Sequence, residues 1–378
     1  MSPEGPEGVT PWVPPFACSS CGGPYPVTGF PYRCPTCGGV FDDREPIVYA
    51  PVEGSGAGAV GLTRFRKSFP LPPDAPWVSL GEGDSPLVTA TVEGRTVHFK
   101  CEFMLPTGSF KDRGTVVLVN ALVAAGVSDA VEDSSGNAGA SFAAYAARAG
   151  IRARVVVPDS TSPIKLAQIR AYGAEVVRVL GPRSNASEVV LRMAAGGAVY
   201  ASHAYQPHGL AGMATAAFEI YEQLGSAPGC VVTPVGQGTL LLGLARGFAA
   251  LQAAGRIDRL PALIGVQAMA CAPIWAVSRA GAAGLRLMGE GETIAEGIRI
   301  RNPIRGDAVL AAVESTGGWI EAVEEEEIAL GRQALARIGM WVEPTSAVVW
   351  PALRAGAARM VEPVVAVLSG SGYKHPQT

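Results

Sequence analysis

The chain has 378 residues, 48% apolar and 17% charged, with a formal net charge of −3. That length can hold two or three domains and a sizeable core. Mixed charge without a basic excess argues against a general nucleic-acid or membrane-surface binder, and no apolar run reaches a membrane span.

In chain order, the opening "MSPEGPEGVTPWVPP" is a Pro-rich arm without the pattern of a signal peptide, so a cytoplasmic location is expected. Cys18, Cys21, Cys34 and Cys37 then form C-x2-C…C-x2-C. Two knuckle turns with this spacing can present four thiolates to one tetrahedral ion. The "CGG" repeats at Cys21–Gly23 and Cys37–Gly39 provide glycines for the positive-φ positions of such knuckles. A closed four-sulfur set predicts a structural zinc ribbon, with two disulfides as the alternative. Cys101, Cys230 and Cys271 are isolated and read as buried free thiols. The Gly/Ala/Ser stretch Gly54–Gly61 contains a G-x-G-x-x-G match at Gly56, Gly58 and Gly61. No buried strand precedes it and no apolar helix follows, so it is not read as a dinucleotide site.

From about Val92 onward, β-branched runs alternate with longer Ala/Leu-rich segments. Strands are predicted at Arg152–Pro158 and Ala174–Gly181, and within Gly229–Gly236 and Glu362–Gly372. A helix is predicted over Ser162–Gly173, and Glu324–Glu327 reads as the first turn of another. This alternation predicts parallel sheets covered on both faces.

Three loops carry chemistry. "PTGSFKDRG" holds Lys111, one of only five lysines against 25 arginines. A lysine can lose its proton and attack a carbonyl, which arginine does poorly. Asp112 and Arg113 beside it read as a supporting ion pair. In "EDSSGNAGASFAAYAARAG", Ser134, Ser135, Gly136 and Asn137 open an Ala-rich helix, whose N-terminus attracts anions such as a carboxylate. In "PVGQGTLLLGLARGF", Gly236, Gln237, Gly238, Thr239 and Leu240 form a strand–loop–helix junction without a Walker lysine. That suits a phosphate monoester. An amine, a monophosphate cradle and a carboxylate cradle are together what a pyridoxal phosphate enzyme needs.

These motifs resemble those of the threonine synthase family, within the two-lobe α/β fold type II (tryptophan synthase beta-like) pyridoxal phosphate enzymes. Besides the three loops, "WVSLGEGDSPLV", "TIAEGIRIRNP", "EPTSA" and "LSGSGYKHP" are similar to family segments in the same order. The resemblance implies that Lys111 is the Schiff-base lysine and that Asn137 meets the cofactor's ring oxygen. It also implies that Gly236–Leu240 hold the cofactor phosphate and that Ser369 faces the pyridine nitrogen. A hydroxyl there would favour elimination and replacement over transamination. Ser134–Asn137 would take the substrate carboxylate.

The implied organisation is an arm and ribbon (1–50) and a catalytic body (51–378). The smaller lobe would span about 115–205, and the larger about 81–114 plus 206–378. A homodimer acting on a small amino acid is the family expectation, with no nucleic acid or membrane partner.

The implied reaction turns O-phosphohomoserine and water into threonine and phosphate. Many members carry an Arg and a Lys where this chain has Gly209 and Ala214. His208, Arg113, Lys165, Arg299 and Arg301 are the nearby candidates to replace them. A serine/threonine ammonia-lyase, or a β-replacement enzyme resembling cysteate synthase, is the alternative within the enzyme class. A non-catalytic ligand sensor with a docking ribbon is the alternative outside it.

Overall fold

A computed structural model describes residues 12–52, 60–181, 183–286 and 288–374. The first part of the Pro-rich arm, Gly54–Gly58 with the first glycines of the G-x-G-x-x-G match, and His375 lie outside the described residues.

The strands are β1 (Phe16–Cys18), β2 (Phe41–Asp43), β3 (Leu87–Val92), β4 (Arg95–Lys100), β5 (Asp129–Glu132), β6 (Arg152–Pro158), β7 (Glu175–Val179), β8 (Val199–Tyr200), β9 (Cys230–Pro234), β10 (Ala262–Ala268), β11 (Trp319–Val323) and β12 (Val364–Val367). They form a six-stranded sheet ordered β11-β10-β9-β12-β4-β3, a four-stranded sheet ordered β7-β6-β5-β8, and the two-stranded ribbon β1-β2. Every residue of β9 ("CVVTP") and β12 ("VVAV") is buried. Such continuous apolar runs are what a strand covered on both faces requires.

The four-stranded sheet is wholly parallel. The larger sheet departs from the expected all-parallel pattern at one edge, where β3 pairs antiparallel with β4. The turn between them places Glu93 and Gly94 at φ 47° and 81°. Two successive positive-φ residues make a tight hairpin, which the βα rhythm of the rest of the chain does not announce.

The helices that frame the site include α1 (Lys111–Ala124), α2 (Asn137–Ala149), α3 (Pro163–Ala171), α4 (Arg183–Ala195), α5 (Gly209–Leu224) and α6 (Thr239–Ala253). The predicted helix over Ser162–Gly173 is α3, with Pro163 in its first turn. Glu324 and Glu327 close a capping box on the helix Glu325–Arg337. The main core joins α1, α2, α5 and α6 to the inner faces of both large sheets, through residues such as Val116, Phe142, Phe218 and Phe248. No helix among the described residues is long and apolar enough to cross a membrane.

The cysteine segment has its own small core of Phe16, Tyr25 and Phe41. It is fastened to the body by Arg246, which pairs with Asp42 at 2.8 Å and with Asp43. Arg305 adds a hydrogen bond to the Phe41 carbonyl at 2.7 Å.

Candidate active site

Strands β5, β9 and β12 end at one cavity of about 560 Å³. That is the size of a small-molecule or cofactor site. The residues expected to hold the cofactor and the substrate carboxylate all line it: Lys111, the run Ser134–Asn137, the run Gly236–Leu240, and Ser369.

Lys111 is the first residue of α1, with Nζ 4.8 Å from the centroid of the Phe110 ring. Its neighbours do not pair with each other as expected. Asp112 is buried and accepts hydrogen bonds from Thr107 N (2.7 Å), Thr107 Oγ1 (2.5 Å) and Ser141 Oγ (2.7 Å). Burial pushes the Asp112 carboxyl up to about 6, against the pull of those donors. Arg113 points the other way, into a buried network. Its guanidinium meets Glu102 at 2.6 and 2.8 Å and Glu219 at 2.8 and 2.6 Å, and Lys100 Nζ joins Glu219 at 2.6 Å. The Asp-Arg pair therefore pins the first turn of α1 from opposite sides. None of this required a contact between the two residues.

Two helix N-termini open onto the cavity. Ser134–Gly136 lead into α2, and Gly236–Gly238 lead into α6. Unsatisfied N–H groups and the helix dipole make each an anion site. Gly238 has φ 82°, and a Cβ there would lie 2.2 Å from Val309 Cγ2, so only glycine fits. Gln237 Oε1 accepts from Ile304 N at 3.0 Å, which ties the loop to the segment before the next helix.

The cavity also holds further polar residues, all but Lys165 without a role in the sequence reading. Glu343, from "EPTSA", accepts from Ser369 Oγ at 2.9 Å and from Asn137 Nδ2 at 2.8 Å. Lys374 Nζ donates to Asn137 Oδ1 at 3.1 Å. His203 faces the cavity, with Nδ1 2.7 Å from buried Glu132. Lys165 and Glu296 line it and pair with each other. The resemblance to "EPTSA" and to the C-terminal segment was the available signal for Glu343 and Lys374.

Several expected substitutes for the missing cations lie elsewhere. Arg113 is wholly buried in its network. Arg299 Nη2 donates to Glu290 O at 3.2 Å, and neither it nor Arg301 lines the cavity. His208 stacks on Phe30 of the cysteine segment at 4.7 Å, and burial lowers its pKa to about 3. It packs as a neutral aromatic against the ribbon. Gly209 and Ala214 do not border the cavity either. Of the candidates, only Lys165 does.

Residues 78–370 match the pyridoxal-phosphate dependent enzyme family. The threonine synthase of Methanocaldococcus jannaschii is 35% identical over 375 residues, covering 95% of this chain and 92% of that protein. The chain belongs to the threonine synthase family of pyridoxal-phosphate dependent enzymes. Another relative in this family, the threonine synthase of Methanosarcina acetivorans, is 32% identical over 96% of this chain and 92% of its own length. A solved threonine deaminase from T.th. has a TM-score of 0.66 at 29% identity, covering 78% of this chain and 94% of that one. Membership makes the protein a pyridoxal-phosphate-dependent lyase of the threonine synthase type.

The donor set fits this cofactor: the Lys111 amine, a glycine loop on a helix N-terminus with the Thr239 hydroxyl beside it, and polar side chains Asn137 and Ser369 facing the same space.

Away from this site, the Sγ atoms of Cys18, Cys21, Cys34 and Cys37 lie within 4.8 Å of one another. The closest pairs, Cys18–Cys37 at 3.4 Å and Cys21–Cys34 at 3.7 Å, are well beyond a disulfide bond length. Gly22 and Gly38 take φ 72° and 74° in the two knuckles. Cys101, Cys230 and Cys271 are buried free thiols.

Proposed function

We propose that the protein converts O-phosphohomoserine and water into threonine and phosphate. The observation that carries the reading is the convergence of Lys111, two helix N-termini and two further lysines, Lys165 and Lys374, on one cavity. A substrate with both a carboxylate and a phosphate, bound beside a phosphorylated cofactor, needs three anion sites. The α6 loop Gly236–Leu240 would take the cofactor phosphate, and the α2 loop Ser134–Asn137 the substrate carboxylate. Lys374 and Lys165 are the cations within reach of a second phosphate.

When bound, pyridoxal phosphate supplies an electron sink for the pair left at the substrate's Cα. Lys111 would hold the cofactor through its amine, and then carry the proton removed from Cα. Asp112 and Arg113 keep Lys111 in place by fixing the first turn of α1 to opposite walls. Closely packed Gly238 keeps the phosphate loop's N–H groups aimed at the cavity.

An ammonia-lyase is the second reading, favoured by the solved threonine deaminase likeness. Release of phosphate together with threonine from O-phosphohomoserine supports the synthase. Ammonia and a 2-keto acid from serine or threonine, with no phosphate release, would establish the lyase instead.

The four-cysteine cluster is proposed to hold one structural zinc. Four sulfurs at ~2.3 Å from a tetrahedral ion stand about 3.8 Å apart, close to the two shortest separations. Elemental analysis should find one zinc per chain; a metal-free chain with intact thiols would refute this. A cytoplasmic homodimer, and a boundary between lobes near residues 115 and 205, belong to the same proposal on the family likeness. Light scattering tests the dimer.

A further inference from the structure

None of the described residues of the cysteine ribbon lines the cavity. One side chain nevertheless connects the two. Arg305 is 4% exposed. Its Nη2 donates to Phe41 O at 2.7 Å and to Tyr205 O at 3.2 Å, and its Nη1 lies 3.3 Å from Asp42 Oδ2. A guanidinium out of water needs such oxygens, because a buried charge without partners is costly. The ribbon supplies two of the three, through Phe41 and Asp42.

Arg305 is also the residue before the helix Gly306–Ser315. Its carbonyl accepts from Val309 N at 3.0 Å, in the first turn of that helix. Val309 packs against Gly238, where a Cβ would lie 2.2 Å from Val309 Cγ2. On the other side of Arg305, Ile304 N donates to Gln237 Oε1 at 3.0 Å. Both contacts land on the glycine loop that opens α6. The backbone of Arg305 thus lies between two grips on the loop, while its side chain is anchored in the ribbon. In a close-packed interior, a displacement at one end of such a joint is felt at the other. Arg246 holds the same ribbon strand from α6, but Arg305 is the one flanked by residues that touch the loop.

We propose that Arg305 is a positioning residue through which the cysteine ribbon braces the α6 loop for the cofactor's phosphate. This rests on the cofactor reading above. The ribbon then acts inward, on the chain's own site.

The test compares pyridoxal phosphate with pyridoxal, which lacks the phosphate, by titrating the visible absorbance band of the whole protein. Arg305→Met should weaken pyridoxal phosphate binding at least tenfold and pyridoxal binding less than twofold. Arg305→Lys, which keeps a cation there, should recover part of the loss. Cys34→Ser with Cys37→Ser, which opens one knuckle of the ribbon, should cost pyridoxal phosphate a similar factor. Combining it with Arg305→Met should cost less than twofold beyond either change alone. Equal losses for the two compounds would make Arg305 a general prop of the fold and overturn the proposal. So would an Arg305→Met affinity within twofold of wild type, or losses that multiply in the combined variant. If Arg305→Met does not fold, the cysteine variant decides: a phosphate-selective loss supports the proposal and unchanged affinity overturns it. A wild type that binds neither compound would instead bring down the cofactor reading and this inference with it.

Discussion

Glu219→Gln isolates the buried network behind Lys111. Arg113, Lys100, Glu102 and Glu219 are each at most 1% exposed and sum to zero formal charge. The substitution keeps the shape of residue 219 and removes one negative charge. Two cations, Arg113 at 2.6 and 2.8 Å and Lys100 at 2.6 Å, then share Glu102 alone. Removing one partner from a buried ion pair costs ~3–5 kcal/mol, because the remaining charge stays desolvated. An exposed pair such as Arg44–Glu45, with side chains 64% and 68% exposed, should cost under about 0.5 kcal/mol when broken by Arg44→Ala. Urea unfolding followed by tryptophan fluorescence compares the two variants. Burial alone would raise the Glu219 carboxyl, but Arg113 and Lys100 hold it far below the usual carboxylate range. Its folded-state pKa is thus depressed. The stability it contributes is present above the unfolded value of ~4.3 and is lost as pH falls toward the lower folded value. Glu219→Gln should therefore flatten the acid limb of stability below about pH 4. A loss under about 1 kcal/mol at neutral pH would refute the reasoning.

Gly238→Ala forces a side chain into φ 82° and against Val309. It should weaken pyridoxal phosphate binding at least tenfold in a fluorescence titration while the circular dichroism stays native; unchanged affinity would contradict a phosphate cradle there. Asp112→Asn tests a carboxyl whose pKa burial raises to about 6. A raised acid costs stability once ionised, fully above about pH 6 and not at all below about pH 4. Wild type should thus gain stability relative to Asp112→Asn as pH falls from 7 to 5, and a constant difference across that range would argue against the assignment.

Much of the cavity was legible because its residues are local in sequence. The loops around Lys111, Asn137 and Gly238 each announce themselves through a glycine-rich turn before an apolar helix. The strand Arg152–Pro158 appears with its expected bounds for the same reason. Partners distant in sequence were not legible. Asn137 and Glu343 are 206 positions apart, and Arg113 and Glu219 are 106 apart. Asp112 next to Arg113 suggested an ion pair, yet adjacent residues on a helix point in different directions. His208 looked like a replacement cation because it adjoins a motif. The ribbon that covers it and keeps it neutral, through Phe16, Tyr25 and Phe30, comes from the other side of the whole smaller sheet in sequence. The β3–β4 hairpin was hidden by its polar-rich strands, a third of whose residues are exposed.

The most direct test of the account is where the cofactor becomes attached. Purified protein is titrated with pyridoxal phosphate until its visible absorbance band saturates, then reduced with borohydride, digested and mapped by mass spectrometry. The account predicts one pyridoxyl group per chain, on Lys111. Modification at Lys165 or Lys374 with Lys111 untouched, or no band at all, would contradict it.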